Sequence, residues 1–140
     1  MLLINKEYAK EFIESIKNTK YNIRGYLYHD SIHSEVNGSI IDDIISELRQ
    51  AKIRGVDIKI LCNSQIQVEK LRRYNIDIKR PNGYKTMHSK AFMFDNDKIF
   101  VGSHNMTDNA MLLNLEMSAI INDIDSITRF NNFFNITWQS

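Results

Sequence analysis

The sequence has few of the residues that cross-link or interrupt a chain. Its 140 residues include one cysteine, one proline and five glycines. A single cysteine excludes an internal disulfide and a four-cysteine zinc cluster, so we expect Cys62 to be a small buried apolar residue. Because proline and glycine are scarce, no linker or repeat is visible, which favours one domain spanning residues 1–140.

Long apolar runs and a net charge of one sign are also absent. No stretch approaches the roughly 18 to 20 apolar residues of a membrane span, and the apolar start of the chain ends at Lys6, too early for a secretory signal. We therefore expect a cytoplasmic protein without stable membrane insertion. Lys and Arg number 18 against 17 Asp and Glu, so the net charge of +1 neither favours nor excludes a nucleic-acid partner.

Hydrophobic periodicity predicts helices that alternate with strands. Helical spacing covers residues 5–18, 40–54, 64–74 and 124–134, and strand-like patterns cover 22–28, 56–61, 76–79, 87–94, 98–101 and 113–121. Ser39 is the expected N-cap of the second helix, and Gly55 is its expected stop. The strands are apolar on both faces and need helices on both sides. The pattern predicts an α/β fold, a three-layer α/β/α sandwich around a mixed sheet.

The strongest functional signal lies between Met87 and Met117. This segment reads MHSKAFMFDNDKIFVGSHNMTDNAMLLNLEM, and its notable residues are His88-x-Lys90-x4-Asp95, then Gly102-Ser103-His104-Asn105 after a predicted hairpin turn, and Glu116 at the last predicted strand. The two motifs in this order resemble the signature of the phospholipase D superfamily. The short chain is similar to the single-motif bacterial nuclease branch of that superfamily.

The residue types also suit phosphoryl chemistry. Residues two apart on a strand share a face, so His88 and Lys90 present an imidazole and an ammonium to one phosphoryl group. Ser103 and Asn105, at the exit of the neighbouring strand, can donate hydrogen bonds to its oxygens. A nucleophilic imidazole needs an acceptor on its other nitrogen, and Glu116 is the candidate. These five residues are the predicted catalytic set.

The resemblance implies a metal-independent phosphodiesterase that needs no cofactor. In such an enzyme His88 forms a covalent phosphohistidine, and a second histidine protonates the leaving oxygen. The family brings two copies of the motif together, so one copy per chain implies a homodimer with a shared active site. The resemblance also implies a structural role for Asp95, and we place Gly102 with it as a structural residue of the motif.

Several other residues invite a functional interpretation. His29 and His33 have the i, i+4 spacing of metal ligands, but their segment is polar and turn-like, which favours a surface loop and no metal site. His104 occupies the variable position of Gly-Ser-x-Asn and is a candidate for lining the cleft. Tyr26, Tyr28 and His29, at the end of the first long strand, fit the cleft, a partner subunit or the core.

Charge along the chain is uneven. Residues 69–90 contain seven Lys and Arg and two carboxylates, whereas residues 108–128 contain four carboxylates and no Lys or Arg. A basic rim beside a phosphodiester site is typical of nucleic-acid binding. The candidate nucleic-acid-binding residues are Arg72, Arg73, Lys79, Arg80 and Lys85.

The leading hypothesis is a nuclease that cleaves DNA or RNA. One alternative is a phosphodiesterase for a cardiolipin-type phospholipid, which an apolar rim or an amphipathic membrane-binding helix would favour. The other is a non-catalytic dimer that binds nucleic acid through the same basic surface.

Overall fold

The computed structural model describes residues 1–28 and 39–140. In chain order its elements are β1 (Leu2–Ile4), α1 (Glu7–Asn18), β2 (Asn22–Leu27), α2 (Ile40–Ile53), β3 (Asp57–Cys62), α3 (Gln65–Arg72), β4 (Asp77–Lys79), β5 (Ala91–Phe94), β6 (Lys98–Gly102), α4 (Asp108–Leu112), β7 (Met117–Ile121) and α5 (Ile124–Gln139). The strands form one sheet in the order β1-β7-β6-β5-β2-β3-β4. Strands β2, β3 and β4 are parallel, and the other pairings are antiparallel.

Helices cover both faces of this mixed sheet. On one face, α1, α2 and α3 bury the larger core, in which the Phe12 ring meets three strand phenylalanines edge to face at 5.0–5.6 Å. On the other face, Phe130 and Phe134 of α5 pack edge to face against Tyr26 of β2, with ring centroids at 5.7 and 5.3 Å. The predicted three-layer sandwich is confirmed, and Tyr26 belongs to its core.

Local sequence signals set the start and the end of α2. The Ser39 hydroxyl accepts a hydrogen bond from the Asp42 N–H at 3.1 Å, and Asp42 and Asp43 lie in the first turn, where the helix dipole favours carboxylates. Gly55 follows the helix with φ +97°, a conformation that glycine adopts without a steric cost. The predicted cap and stop are therefore confirmed.

The structure differs from the periodicity at four places. The three-residue β1 and the five-residue α4 were not predicted, because elements this short are too brief for a hydrophobic pattern to repeat. Residues 87–90 are extended but precede β5, and residues 113–116 follow α4 before β7 begins. An extended apolar pattern does not reveal which residues find a ladder partner, so both strands were predicted to begin too early.

Two predictions from the sequence concern the single cysteine and the membrane. Cys62 is buried in the larger core, as expected for a small apolar residue. Within the described ranges, no helix combines the length and the hydrophobicity needed to cross a bilayer. His29 and His33, for which the sequence favours a surface loop over a metal site, lie outside the described residues.

Candidate active site

The sheet topology brings the motif residues to one edge. His88 and Lys90 precede β5, Ser103 follows β6, and Glu116 precedes β7. Because β5 and β7 run antiparallel to β6, these three strand ends lie side by side. The Gly102 N–H contacts the Lys90 carbonyl at 3.4 Å and continues the β5–β6 ladder to this edge. The first and second motifs are therefore adjacent in space.

His88 and Lys90 are in direct contact. Lys90 Nζ lies 3.4 Å from His88 Nδ1 and donates to the His88 carbonyl at 3.1 Å. The imidazole is exposed, while Lys90 is half-buried. Burial lowers the pKa of Lys90, and the nearby Glu116 carboxylate opposes this shift. A partly desolvated ammonium next to an accessible imidazole is a suitable place for a phosphoryl group.

Tyr28 is a third member of this cluster. Its ring centroid lies 4.4 Å from that of His88, and Lys90 Nζ lies 4.8 Å from the Tyr28 centroid. Tyr28 directly follows β2, the neighbour of β5 in the sheet, so strand pairing brings it to the motif. The sequence left Tyr28 open between the cleft, a partner subunit and the core, and the structure places its ring next to His88 and Lys90.

The Glu116 carboxylate is held by Ser103. Ser103 Oγ donates to Glu116 Oε1 at 2.6 Å and accepts from the Met117 N–H at 3.0 Å, and Asn114 Nδ2 donates to Glu116 Oε2 at 3.2 Å. The predicted contact of Glu116 with His88 is absent from this chain. The reason is the register, because β7 begins beside Ser103 and its hydroxyl is the nearest donor.

Asn105 has an unusual environment in the same loop. It is half-buried, and its Oδ1 atom is buried without a hydrogen-bond partner in the part of the chain that the structure describes. Buried side-chain polar atoms normally have a partner. Asn105 therefore retains an unused hydrogen-bond acceptor two residues after Ser103.

Two motif residues have a structural environment. A Cβ atom at position 102 would collide with the Ser118 side chain and lie 2.6 Å from the Met117 carbonyl, so the close approach of β6 to β7 requires Gly102. Asp95 lies at the end of β5 opposite His88, where its carboxylate accepts hydrogen bonds from three consecutive backbone N–H groups at 2.7–3.0 Å, those of Lys20, Tyr21 and Asn22.

His104, which the sequence left as a candidate for lining the active-site cleft, is instead buried. It is only 4% exposed, and its ring stacks on Tyr8 with a centroid distance of 4.3 Å. Its Nδ1 atom lies 2.7 Å from Ser118 Oγ, and its Nε2 atom lies 2.9 Å from the Asn5 carbonyl oxygen. Burial lowers the pKa of His104, although the hydrogen bond to Asn5 and the charge of Glu116 oppose the shift. The His104 side chain therefore packs against α1.

Asn5 connects this buried histidine to Glu116. Its N–H donates to the Glu116 carbonyl at 3.0 Å, and its side-chain Oδ1 accepts from the Glu116 N–H at 2.9 Å. Asn5 has φ 51°, a conformation that asparagine tolerates better than most residues. We call Asn5, His104 and Ser118 the backing network. It was not predicted, because no sequence periodicity relates these three positions.

The five predicted nucleic-acid-binding residues do not form one cluster. Arg72 and Lys79 line a cleft of about 480 Å³ beside β4, and Arg73 lines a smaller neighbouring cleft. Arg80 donates from Nε to the Asn63 carbonyl at 2.8 Å. Lys85 is exposed in the loop before His88. The basic residues are therefore divided between the sheet edge that holds the motif residues and the side of the sheet.

Residues 1–28 and 39–140 contain no group of three or more His, Cys, Asp or Glu side chains that could hold a metal ion.

A family model described as "Cardiolipin synthase, PLD-like domain" matches residues 12–138. The chain belongs to this phospholipase D-like family. The fold agrees, because the solved structure of Nuc, a phospholipase D family member from Salmonella typhimurium, superposes with a TM-score of 0.79 at 21% identity, covering 99% of this chain and 94% of Nuc.

Two curated relatives are longer proteins. The DISARM protein DrmC of Bacillus paralicheniformis is 25% identical over 120 residues, covering 71% of this chain and 50% of DrmC. Cardiolipin synthase 2 of Bacillus anthracis is 29% identical over 100 residues, covering 63% of this chain and 19% of the synthase. The phospholipase D-like chain thus spans half or less of the curated relatives that it matches.

Proposed function

We propose that this phospholipase D-like chain is a metal-independent phosphodiesterase that cleaves the backbone of DNA or RNA through a covalent phosphohistidine. The observation that carries the proposal is the accessible His88 imidazole in contact with the half-buried Lys90 ammonium, at an edge that also holds Ser103 and Glu116. A nucleophile beside a fixed positive charge suits attack on a phosphodiester. The basic residues around this edge favour a nucleic-acid substrate.

In the proposed mechanism, an imidazole nitrogen of His88 attacks phosphorus and forms a P–N bond. The bond from phosphorus to the leaving oxygen breaks, and the partner subunit's His88 donates a proton to that oxygen. The same partner imidazole then removes a proton from water, and the resulting hydroxide displaces His88 from phosphorus. Lys90 and Asn105 bind the non-bridging oxygens, on which negative charge develops, and Ser103 joins them when its O–H turns from Glu116 to the phosphoryl group.

An exposed apolar surface beside the site supports the homodimer that this mechanism needs. Leu113 and Leu115 are 79% and 89% exposed immediately before Glu116. The register of β1, β7 and β6 places four more exposed side chains on one sheet face, those of Leu2, Ile4, Met117 and Val101. A monomer rarely leaves this much neighbouring apolar surface in water, so we propose that a second copy covers it.

The test uses bis-p-nitrophenyl phosphate and a labelled oligonucleotide in excess EDTA. Wild-type protein should hydrolyse both, sediment at about twice the 16.4 kDa chain mass, and lose turnover on His88→Ala substitution. Mixed dimers with one wild-type and one His88→Ala chain should be nearly inactive, because they lack either the nucleophile or the acid. Strict dependence on added Mg²⁺ or Mn²⁺, half-active mixed dimers or an active monomer would contradict the proposal.

A phospholipid substrate is the second candidate, because a homodimer that left Leu113 and Leu115 uncovered would present them to lipid beside Glu116. Similarity to cardiolipin synthase 2 supports the same candidate. Vesicles that contain cardiolipin or phosphatidylglycerol, assayed beside the oligonucleotide, decide between the substrates. Release of lipid products without oligonucleotide cleavage would replace the nuclease proposal. Tight oligonucleotide binding without turnover of either substrate would indicate a non-catalytic nucleic-acid-binding dimer.

A further inference from the structure

We propose that the cleft beside β4 is a second nucleic-acid-binding site, which holds the phosphodiester backbone of the substrate outside the catalytic centre. The inference rests on the proposed nuclease function and extends it. Strand β4 is an edge strand of the sheet and runs parallel to β2 and β3. Its C-terminal end, at Lys79, therefore faces the same edge as Tyr28 and His88, and the cleft extends from there along the side of the sheet.

The cleft is rich in uncompensated positive charge. Lys52, Arg72 and Lys79 line it, and Asp77 is the carboxylate among its lining residues. Lys59 lies next to it, over the ring of Trp138. In residues 1–28 and 39–140 the salt bridge found is that between Arg24 and Asp57, so none of these four cations is paired with a described carboxylate. The site thus favours a polyanion.

Neutral groups hold three of these cations in place. Arg72 Nε donates to the Ile78 carbonyl at 3.3 Å. Lys79 Nζ and Lys59 Nζ lie 4.8 and 5.5 Å from the Trp138 ring centroid, at cation–π distance. A carbonyl or an aromatic ring positions a cation without neutralising it. The charges are therefore arranged before an anion binds, which reduces the entropy lost on binding.

The helix dipole does not explain this arrangement. Lys52 and Arg72 lie in the last turns of α2 and α3, where the dipole favours cations. Lys59 and Lys79, however, lie on strands and gain nothing from a helix end. The clustering of both pairs around one cleft therefore points to an external anion.

Hydrogen bonds connect the end of the cleft at Lys79 with the edge that holds His88. Arg80 follows Lys79 and donates to the Asn63 carbonyl, and the Asn63 side chain accepts from the Met87 N–H at 2.9 Å. Met87 directly precedes His88. A phosphodiester chain that leaves the catalytic centre past Arg80 thus meets the cations of the cleft. Contacts to phosphates alone predict binding that is independent of base sequence and sensitive to salt.

The experiment measures anisotropy of a dye-labelled oligonucleotide of about 20 nucleotides over a salt series of about 50 to 200 mM. All proteins carry His88→Ala to prevent cleavage. The cleft variant is Lys52→Gln/Arg72→Gln/Lys79→Gln, and the matched control, Lys10→Gln/Lys17→Gln/Lys20→Gln, removes the same charge from the exposed side of α1 and its end. We expect the cleft variant to bind at least about tenfold more weakly and to lower the salt slope by about 2, while the control stays near the parent.

Equal losses in the cleft and control variants, or no loss in either, would overturn the proposal. Circular dichroism verifies folding, and Lys79→Glu alone repeats the comparison if the triple variant does not fold. With His88 intact, the cleft variant should hydrolyse bis-p-nitrophenyl phosphate at the wild-type rate, because this small diester does not reach the cleft. If the wild-type protein does not hydrolyse the diester, the proposed nuclease function is wrong. The comparison of oligonucleotide binding then tests the cleft by itself.

Discussion

The front of the candidate site, around His88, and its back, around His104, are built in opposite ways. His88 is exposed and contacts Lys90 and Tyr28. His104 is buried, stacks on Tyr8, and has a hydrogen-bonding partner for each ring nitrogen. Both residues belong to the same motif segment, so the residue type alone does not determine their roles.

The difference follows from what each position has to do. A nucleophile needs a free nitrogen and access to substrate, which leaves its side chain exposed. A buried polar side chain is tolerated only when its hydrogen-bonding groups are satisfied, and it then fixes the loops around it. The proposed function therefore assigns reactivity to the front, and the backing network holds Glu116 in position next to Ser103. The predictions below test this division.

The largest expected effect is that of His88→Ala. Because the substitution removes the proposed nucleophile from an exposed position, hydrolysis of bis-p-nitrophenyl phosphate should fall more than about a thousandfold. Thermal unfolding should be unchanged, since no core contact is lost. A folded variant with wild-type turnover would show that His88 is not the nucleophile and that the front carries no reactivity.

Lys90→Ala should have the next largest effect. Loss of the cation beside the transferring phosphoryl group should lower kcat about 100- to 1000-fold. Lys85→Ala is the matched control, because Lys85 is exposed in the preceding loop, and it should leave turnover of the small diester unchanged. A loss of less than about tenfold for Lys90→Ala would place this ammonium outside the reaction.

Asp95→Ala tests a structural residue of the same motif. The substitution removes a carboxylate that accepts three backbone hydrogen bonds, so the free energy of unfolding should fall by about 2 kcal/mol, measured by urea denaturation. The turnover of folded protein should be retained, because Asp95 lies at the far end of β5. Asp97→Ala, in the exposed part of the same turn, is the control and should change stability little. Loss of turnover without loss of stability would instead give Asp95 a catalytic role.

The smallest effect concerns the pH dependence of stability and the buried His104. Its pKa is lowered in the folded protein, so the unfolded chain binds more protons just below the usual histidine pKa of about 6.5. Stability from this group is therefore complete above that pH and falls as the pH drops towards the folded pKa. The slope should not exceed about 1.4 kcal/mol per pH unit.

Urea denaturation at several pH values should show this slope in the wild type. In His104→Asn, which does not titrate in this range, the slope should be smaller, and the difference between the two proteins isolates His104 from the other titrating groups. Parallel curves for the two proteins would show that His104 is not held neutral by burial.

Much of the layer structure was predictable because it depends on local signals. Ser39, the aspartates after it and Gly55 delimit α2 through contacts within a few residues. The turn at Asp95 and Asn96, both with positive φ, follows from the tolerance of these residue types for that conformation. The short β1 and α4 were missed because their existence depends on partners far along the chain.

The sequence by itself determined the alternating α/β order, the burial of Cys62 and the pairing of His88 with Lys90 in one segment, since each follows from spacing along a few residues. Only the tertiary structure decided that Glu116 meets Ser103, that Tyr28 joins the cleft, and that His104 is held by Asn5 and Ser118. These contacts join residues from different strands and turns. Their geometry depends on sheet order and register, which the packing of the whole chain sets.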